Sequence, residues 1–223
     1  MKKYAFLLIL ISTAAIAWIS PPNDFFQQWT AQNKSIQTIL IKQERDLYSQ
    51  GAVSQTLPEI IKIKRPGLYK WTSIVDGQEN VKILGKTKAM LGVAPNFRQV
   101  KLMDVISPLE ASVIYGQAGN MESVLKQIEI DVAQYGLELF QHEAKIRVGS
   151  KTGNRLYIAS ATNTLDAMFY KDRLYLFTYD KKNAVQNYPT SMEIYEGDTL
   201  KEKIRVLSVS TTAKFSDLEF EPK

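Results

Sequence analysis

The chain has 223 residues, 45% of them hydrophobic, with 28 Lys and Arg against 23 Asp and Glu, a single histidine and no cysteine. That composition excludes zinc sites of the Cys/His kind and a disulfide framework, and it leaves a histidine-based triad only if built on His142. The positive surplus is spread along the chain, which favours ordinary solvated faces over nucleic-acid binding.

The first residues read as an export signal. Lys2 and Lys3 form a positive start, Ala5 to Ala17 is apolar, and Ala15-Ile16-Ala17 is a small-x-small cleavage site. The run falls short of the roughly 20 apolar residues a bilayer span needs, so cleavage before Trp18 is expected over an uncleaved anchor. The exported chain, residues 18–223, is then expected in a periplasm. Without cysteine its fold rests on its core, and attachment through a lipidated cysteine after the signal is excluded.

Asn23 followed by DFFQQWTAQ predicts an N-capped helix with Phe25, Phe26 and Trp29 at helical spacing. Strands follow: TILIKQERDLYS from Thr38 and AVSQTLPEIIKIKR from Ala52 flank Ser49-Gln50-Gly51, and LYKWTSI comes after Pro66-Gly67. VKIL, TKAMLGV and RQVKLM are next, separated by Gly85-Lys86 and Ala94-Pro95-Asn96. Ser107-Pro108-Leu109-Glu110 has the form of a capping box with proline at the first helical position. A second helix is expected from about Asn120, with Val124, Leu125, Ile128 and Val132 as its apolar face, interrupted by Ile130. AKIRVG, RLYIASA, DAMFYK, RLYLFTY, SMEIYE and EKIRVLSV then read as strands, with turns at Asp172-Arg173, Asp180-Lys181 and Gly197-Asp198. No repeat or linker divides the chain. The expected fold is mainly β, a single domain built on a large antiparallel sheet with a few helices covering one face.

Few residues carry chemistry. His142-Glu143 lacks the second histidine of a metalloprotease helix and reads as a surface pair. Gly85-Lys86-Thr87 resembles the end of a phosphate loop, but Asn80 stands where the earlier glycine belongs, and a turn between strands explains it better. Asp172, Asp180 and Glu196 could pair in space, though carboxylates in strand turns are common without a catalytic role. No cofactor, metal site or enzymatic activity is expected.

A curved antiparallel sheet makes either a filled core or a half-open cavity for a hydrophobic ligand. If Ile61 and Ile63 share a face, the period of two places Arg65 in line with them, and a charge there is costly without hydrogen bonds. Two simpler explanations stand beside a functional one: the strand stops before Arg65, or a bulge turns it outward.

At these residues the chain resembles a known family. Ile63-Lys64-Arg65-Pro66-Gly67-Leu68-Tyr69-Lys70-Trp71 is similar to the vKRPnlfnW segment of the periplasmic outer-membrane lipoprotein carriers, the LolA family. LGKTKAMLGVAPNFRQV, Leu84 to Val100, resembles that family's DGktlwfYnPfveQa segment. AKFSDLEFEP, Ala213 to Pro222, resembles its closing strand, and SIQTILIKQ from Ser35 its sf..sFtQ segment.

The resemblance implies an unclosed half-barrel with helices on its concave face and an apolar cavity for the acyl chains of lipoproteins. It implies a carrier or chaperone without catalysis, for which an inner-membrane donor and an outer-membrane acceptor could be partners; the chain is separately expected to be a monomer. Arg65 would be the latch that hydrogen-bonds a movable lid in the Ser107 to Gln134 region. Tyr69 falls near the cavity mouth, Trp71 matches a tryptophan, and Ile61 and Ile63 line the apolar face. A LolA-like module that binds another lipid or senses an envelope partner is the second reading. An enzyme with converging carboxylates is the third.

Overall fold

The computed structural model describes residues 22–31, 35–86, 88–106, 110, 118–179, 185 and 188–222. The expected signal, Ser107 to Leu109 of the expected capping box and the Asp180-Lys181 turn lie outside those residues.

Among the described residues, thirteen strands form one antiparallel sheet in the order β6-β5-β4-β3-β2-β1-β13-β12-β11-β10-β9-β8-β7. The central strands are β1 (Thr38–Ser49), β2 (Ala52–Lys64) and β13 (Thr199–Ser210). One flank carries β3 (Leu68–Val75), β4 (Gln78–Leu84), β5 (Ala89–Val93) and β6 (Asn96–Val100). The other carries β7 (Tyr135–Phe140), β8 (Glu143–Gly149), β9 (Arg155–Ala159), β10 (Thr164–Tyr170), β11 (Arg173–Thr178) and β12 (Ser191–Glu196). Strands consecutive in the chain pair antiparallel except β6 and β7, and among the described residues β1 with β13 joins the distant segments. The sheet stays open, with β6 and β7 at its edges. Several turns place both central residues in the left-handed region, as at Gln50 (φ 51°) and Gly51 (φ 79°), which matches the twist of the strands they join.

Two helices, α1 (Pro22–Ala31) and α2 (Ala118–Gln127), pack against each other and against one face of the sheet. Phe25 and Phe26 of α1 and Met121, Val124 and Leu125 of α2 are buried in one cluster with Ile39, Ile41, Ile61, Ile63, Val148 and Ile158. Each fully buried aliphatic side chain there contributes on the order of 1.5–3 kcal/mol. The opposite, convex face carries ion pairs such as Arg205–Glu44 at 3.0 Å and Lys203–Glu193 at 2.8 Å.

Some expectations are corrected. The first helix begins at Pro22, so Asn23 lies inside it. The second helix ends at Gln127, and Ile130 is buried with its apolar face while Val132 is only partly covered. Strand β7 was not anticipated, because Gly136 and the exposed Tyr135, Leu137 and Leu139 weaken its pattern. The C-terminal segment is not a closing strand: residues 212–216 are irregular and Asp217–Phe220 form a 3-10 turn. That segment lies against the convex face, where Phe220 is buried and Lys64 bonds both the Phe215 carbonyl and Asp217.

Candidate ligand cavity

Strand pairing sets which residues share the concave face. On β1 these are Ile39, Ile41, Gln43 and Arg45; on β2, Ile63, Ile61, Glu59 and Leu57 sit opposite them. A register shift between Lys42 and Gln43 keeps Val206 and Ile204 of β13 on the same face and leaves Leu207 outside, 60% exposed. The face is therefore apolar in one half and polar in the other.

A cavity of about 460 Å³ lies over the polar half, within the range of small-molecule sites. Its apolar wall includes Leu57, Trp71, Met168, Phe177, Met192 and Ile204. Val105, Ile106 and Glu110, from the connection that follows β6, and Tyr188, from the connection between β11 and β12, also line it.

The floor is a charged network. Gln43 Nε2 donates to Glu59 Oε2 at 2.5 Å, and Arg45 Nε donates to Glu59 Oε1 at 2.6 Å. Arg45 Nη1 donates to Glu202, which also accepts from Arg173 Nη1 at 3.2 Å. The Glu59 side chain is wholly shielded from solvent. Burial pulls the Arg45 pKa down, but the carboxylates of Glu59 and Glu202 more than reverse this and hold it above the ordinary arginine value. Arg45 therefore stays charged, held by both side chains.

Tyr69, 1% exposed, donates its hydroxyl to Glu110 Oε1 at 2.8 Å and so ties β3 to the segment after β6. Burial, reinforced by the Glu110 carboxylate, pushes the Tyr69 phenol well above its usual pKa, so it remains a donor. Burial pushes Tyr188 in the same direction, again with a contribution from Glu110.

Of the residues singled out by sequence, Tyr69 and Trp71 line the cavity, and Ile63 and Ile61 are buried opposite them across the β2–β3 ladder. Arg65 does not line it. β2 ends at Lys64, and Arg65 opens the following turn across a cis bond to Pro66, with its N–H donating to the Gln37 carbonyl at 2.8 Å. Its guanidinium is half-buried, and burial lowers its pKa. His142 is exposed in the β7–β8 turn, and Gly85 closes the β4–β5 turn by donating to the Lys88 carbonyl at 2.9 Å. Gln43, Arg45, Glu59, Glu110 and Glu202 were not anticipated.

An open antiparallel sheet wrapped around a cavity, with helices on its concave side, makes a half-barrel. The chain has the fold of the LolA superfamily. It is similar to a LolA superfamily protein of Nitrosomonas europaea with a TM-score of 0.61 at 4% identity, covering 92% of this chain and 98% of that one. It is also similar to a putative outer membrane lipoprotein-sorting protein domain of Vibrio parahaemolyticus, TM-score 0.56 at 12% identity, covering 89% and 95%. A DUF1329 family protein of Desulfovibrio piger gives a TM-score of 0.56 at 14% identity over the same shares. No family model and no curated protein matches the sequence.

Proposed function

We propose that this protein is a periplasmic carrier that holds the acyl chains of lipoproteins in its concave cavity and passes them toward the outer membrane. The cavity itself carries the reading: it lies between the curved sheet and Val105, Ile106 and Glu110, and its wall includes Met, Phe, Trp and branched side chains. Each methylene moved there from water contributes about 0.8 kcal/mol, so a few outweigh one or two hydrogen bonds holding the segment down. Opening would then be a population shift driven by tighter binding to the open state.

Arg65 and Tyr69 are the residues proposed to hold the closed form, Tyr69 through its bond to Glu110. The reading assigns binding and release to the site, with an inner-membrane donor and an outer-membrane acceptor as partners and no catalytic step. A second reading, a LolA-like module for some other lipid, is favoured by the charged floor of Gln43, Arg45 and Glu59, which an acyl chain alone would leave unused.

Native mass spectrometry of the protein purified gently from its own cells, with lipid extraction of the same sample, separates the two. Co-purifying acylated lipoprotein supports the carrier, and a free lipid supports the other module. An empty protein that also fails to bind added acylated peptide or lipid overturns both. Arg65→Leu is expected to loosen closure and raise retention of bound cargo; release as fast as wild type removes Arg65 from the latch.

A further inference from the structure

The cavity floor offers acceptors, and its guanidiniums are already engaged by carboxylates. Gln43 is 3% exposed and lines the cavity, and its side-chain oxygen is buried without a hydrogen-bond partner among the described residues. The orientation of this amide is set by its neighbour: a carboxylate only accepts, so the nitrogen must face Glu59 and the oxygen must face away. Buried acceptors of this kind are rare, and each one calls for a donor.

A ligand is the available source. Arg45 places Nε and Nη2 on Glu59 and Nη1 on Glu202, while Arg173 is held by Glu196 and Glu202. A phosphate or carboxylate entering here would meet Glu59, Glu110 and Glu202 without a free guanidinium edge to receive it, and the ammonium of Lys82 lies over the Trp71 ring, 4.9 Å from its centroid. A cationic amine would meet Arg45, Lys82 and Arg173 on the same wall. A neutral hydroxyl group avoids both penalties.

We infer that the cavity selects a neutral, hydroxyl-bearing acyl lipid, whose chain lies along Met168, Phe177, Met192 and Ile204 and whose hydroxyl donates to the Gln43 oxygen. This rests on the reading of the cavity as an acyl-chain site. It names the headgroup chemistry that the reading leaves open.

The test uses the delipidated full chain and three probes of one chain length: a monoacylglycerol, the free fatty acid and the acylglycerol phosphate. Titration below the micelle concentration is expected to show the monoacylglycerol binding about tenfold tighter than either anion, the size of one well-placed buried hydrogen bond. Gln43→Leu should remove that preference by weakening the monoacylglycerol alone, with fatty-acid binding retained, and Gln43→Met serves if the first variant folds poorly. Equal or tighter binding of an anion by wild type, or a preference that survives in the variants, overturns the headgroup assignment and leaves the acyl-chain reading standing. Failure of all three probes to bind overturns both.

Discussion

Two clusters of ion pairs sit on opposite faces of the same strands. On the concave side, β1 and β2 contribute Arg45 and Glu59, and the Glu59 carboxylate is sealed from water. On the convex side, Lys62 and Lys64 of β2 hold Glu219 and Asp217 of the C-terminal segment at 2.8 and 2.7 Å, and Lys86 joins Asp217 at 2.7 Å. The bond lengths are alike, but the solvent is not. Exposed pairs contribute little because water screens them and long side chains lose freedom in making them, whereas a sealed pair is costly to break because its survivor is stranded. The convex cluster fastens a segment. The concave cluster spends desolvation energy on polarity inside a cavity, which makes sense if a ligand uses it.

The largest expected effect breaks the concave cluster at its shared member. Glu59→Ala leaves Arg45 and the Gln43 amide nitrogen without their carboxylate and should cost about 3–5 kcal/mol, measured by urea unfolding. A loss below about 1 kcal/mol, the level of an exposed pair, would erase the difference between the faces. Replacing Gln43, Arg45 and Glu59 together by Leu, Met and Leu should instead be neutral or stabilising by about 1–4 kcal/mol, since nothing charged is then stranded on β1 or β2. If the triple variant is as unstable as Glu59→Ala, the polar floor is structural, and a ligand is not needed to explain it.

Tyr69→Phe tests the tie across the cavity on a smaller scale. The lost bond runs to a carboxylate at 2.8 Å, so about 1.5–3 kcal/mol is expected. The loss should appear as faster proteolysis within the segment bearing Glu110, with the sheet unaffected. Uniform loss of protection across the sheet would mean that Tyr69 is an ordinary core residue.

Much of the sheet was legible because period-two patterns and turn residues are local: Thr38–Ser49 and Ser191–Glu196 have the ends their sequences suggested. The cavity floor was legible in principle. The row that runs forward from Ile61 and Ile63 to Arg65 runs backward to Glu59, and on β1 the row of Ile39 and Ile41 continues to Gln43 and Arg45. What no local pattern provides is the pairing of β1 with β13, separated by most of the chain, which brings Glu202 to Arg45. The fate of the C-terminal segment was hidden for a related reason. Its alternating residues suit a strand, but Asp217 and Glu219 find lysines on a neighbouring face in place of a ladder.

The smallest effect belongs to that segment. Hydrogen bonds and charges from Lys64 and Lys86 hold the Asp217 carboxyl down to about 2, below its usual value near 4. A depressed folded-state pKa stabilises the docked form fully above about pH 4, and the contribution is lost as pH falls toward 2. Asp217 is exposed, so the global unfolding transition should barely move, and the change should be confined to residues 213–222. Asp217→Asn removes the titrating group. In the variant, the Phe215 and Phe220 ring signals should report a looser segment already at pH 6, with little further change on acidification. Wild type should reach that loosened state only near pH 2. Identical acid profiles for the two proteins would mean that Phe220 burial alone fastens the segment, leaving the convex ion pairs without a measurable part.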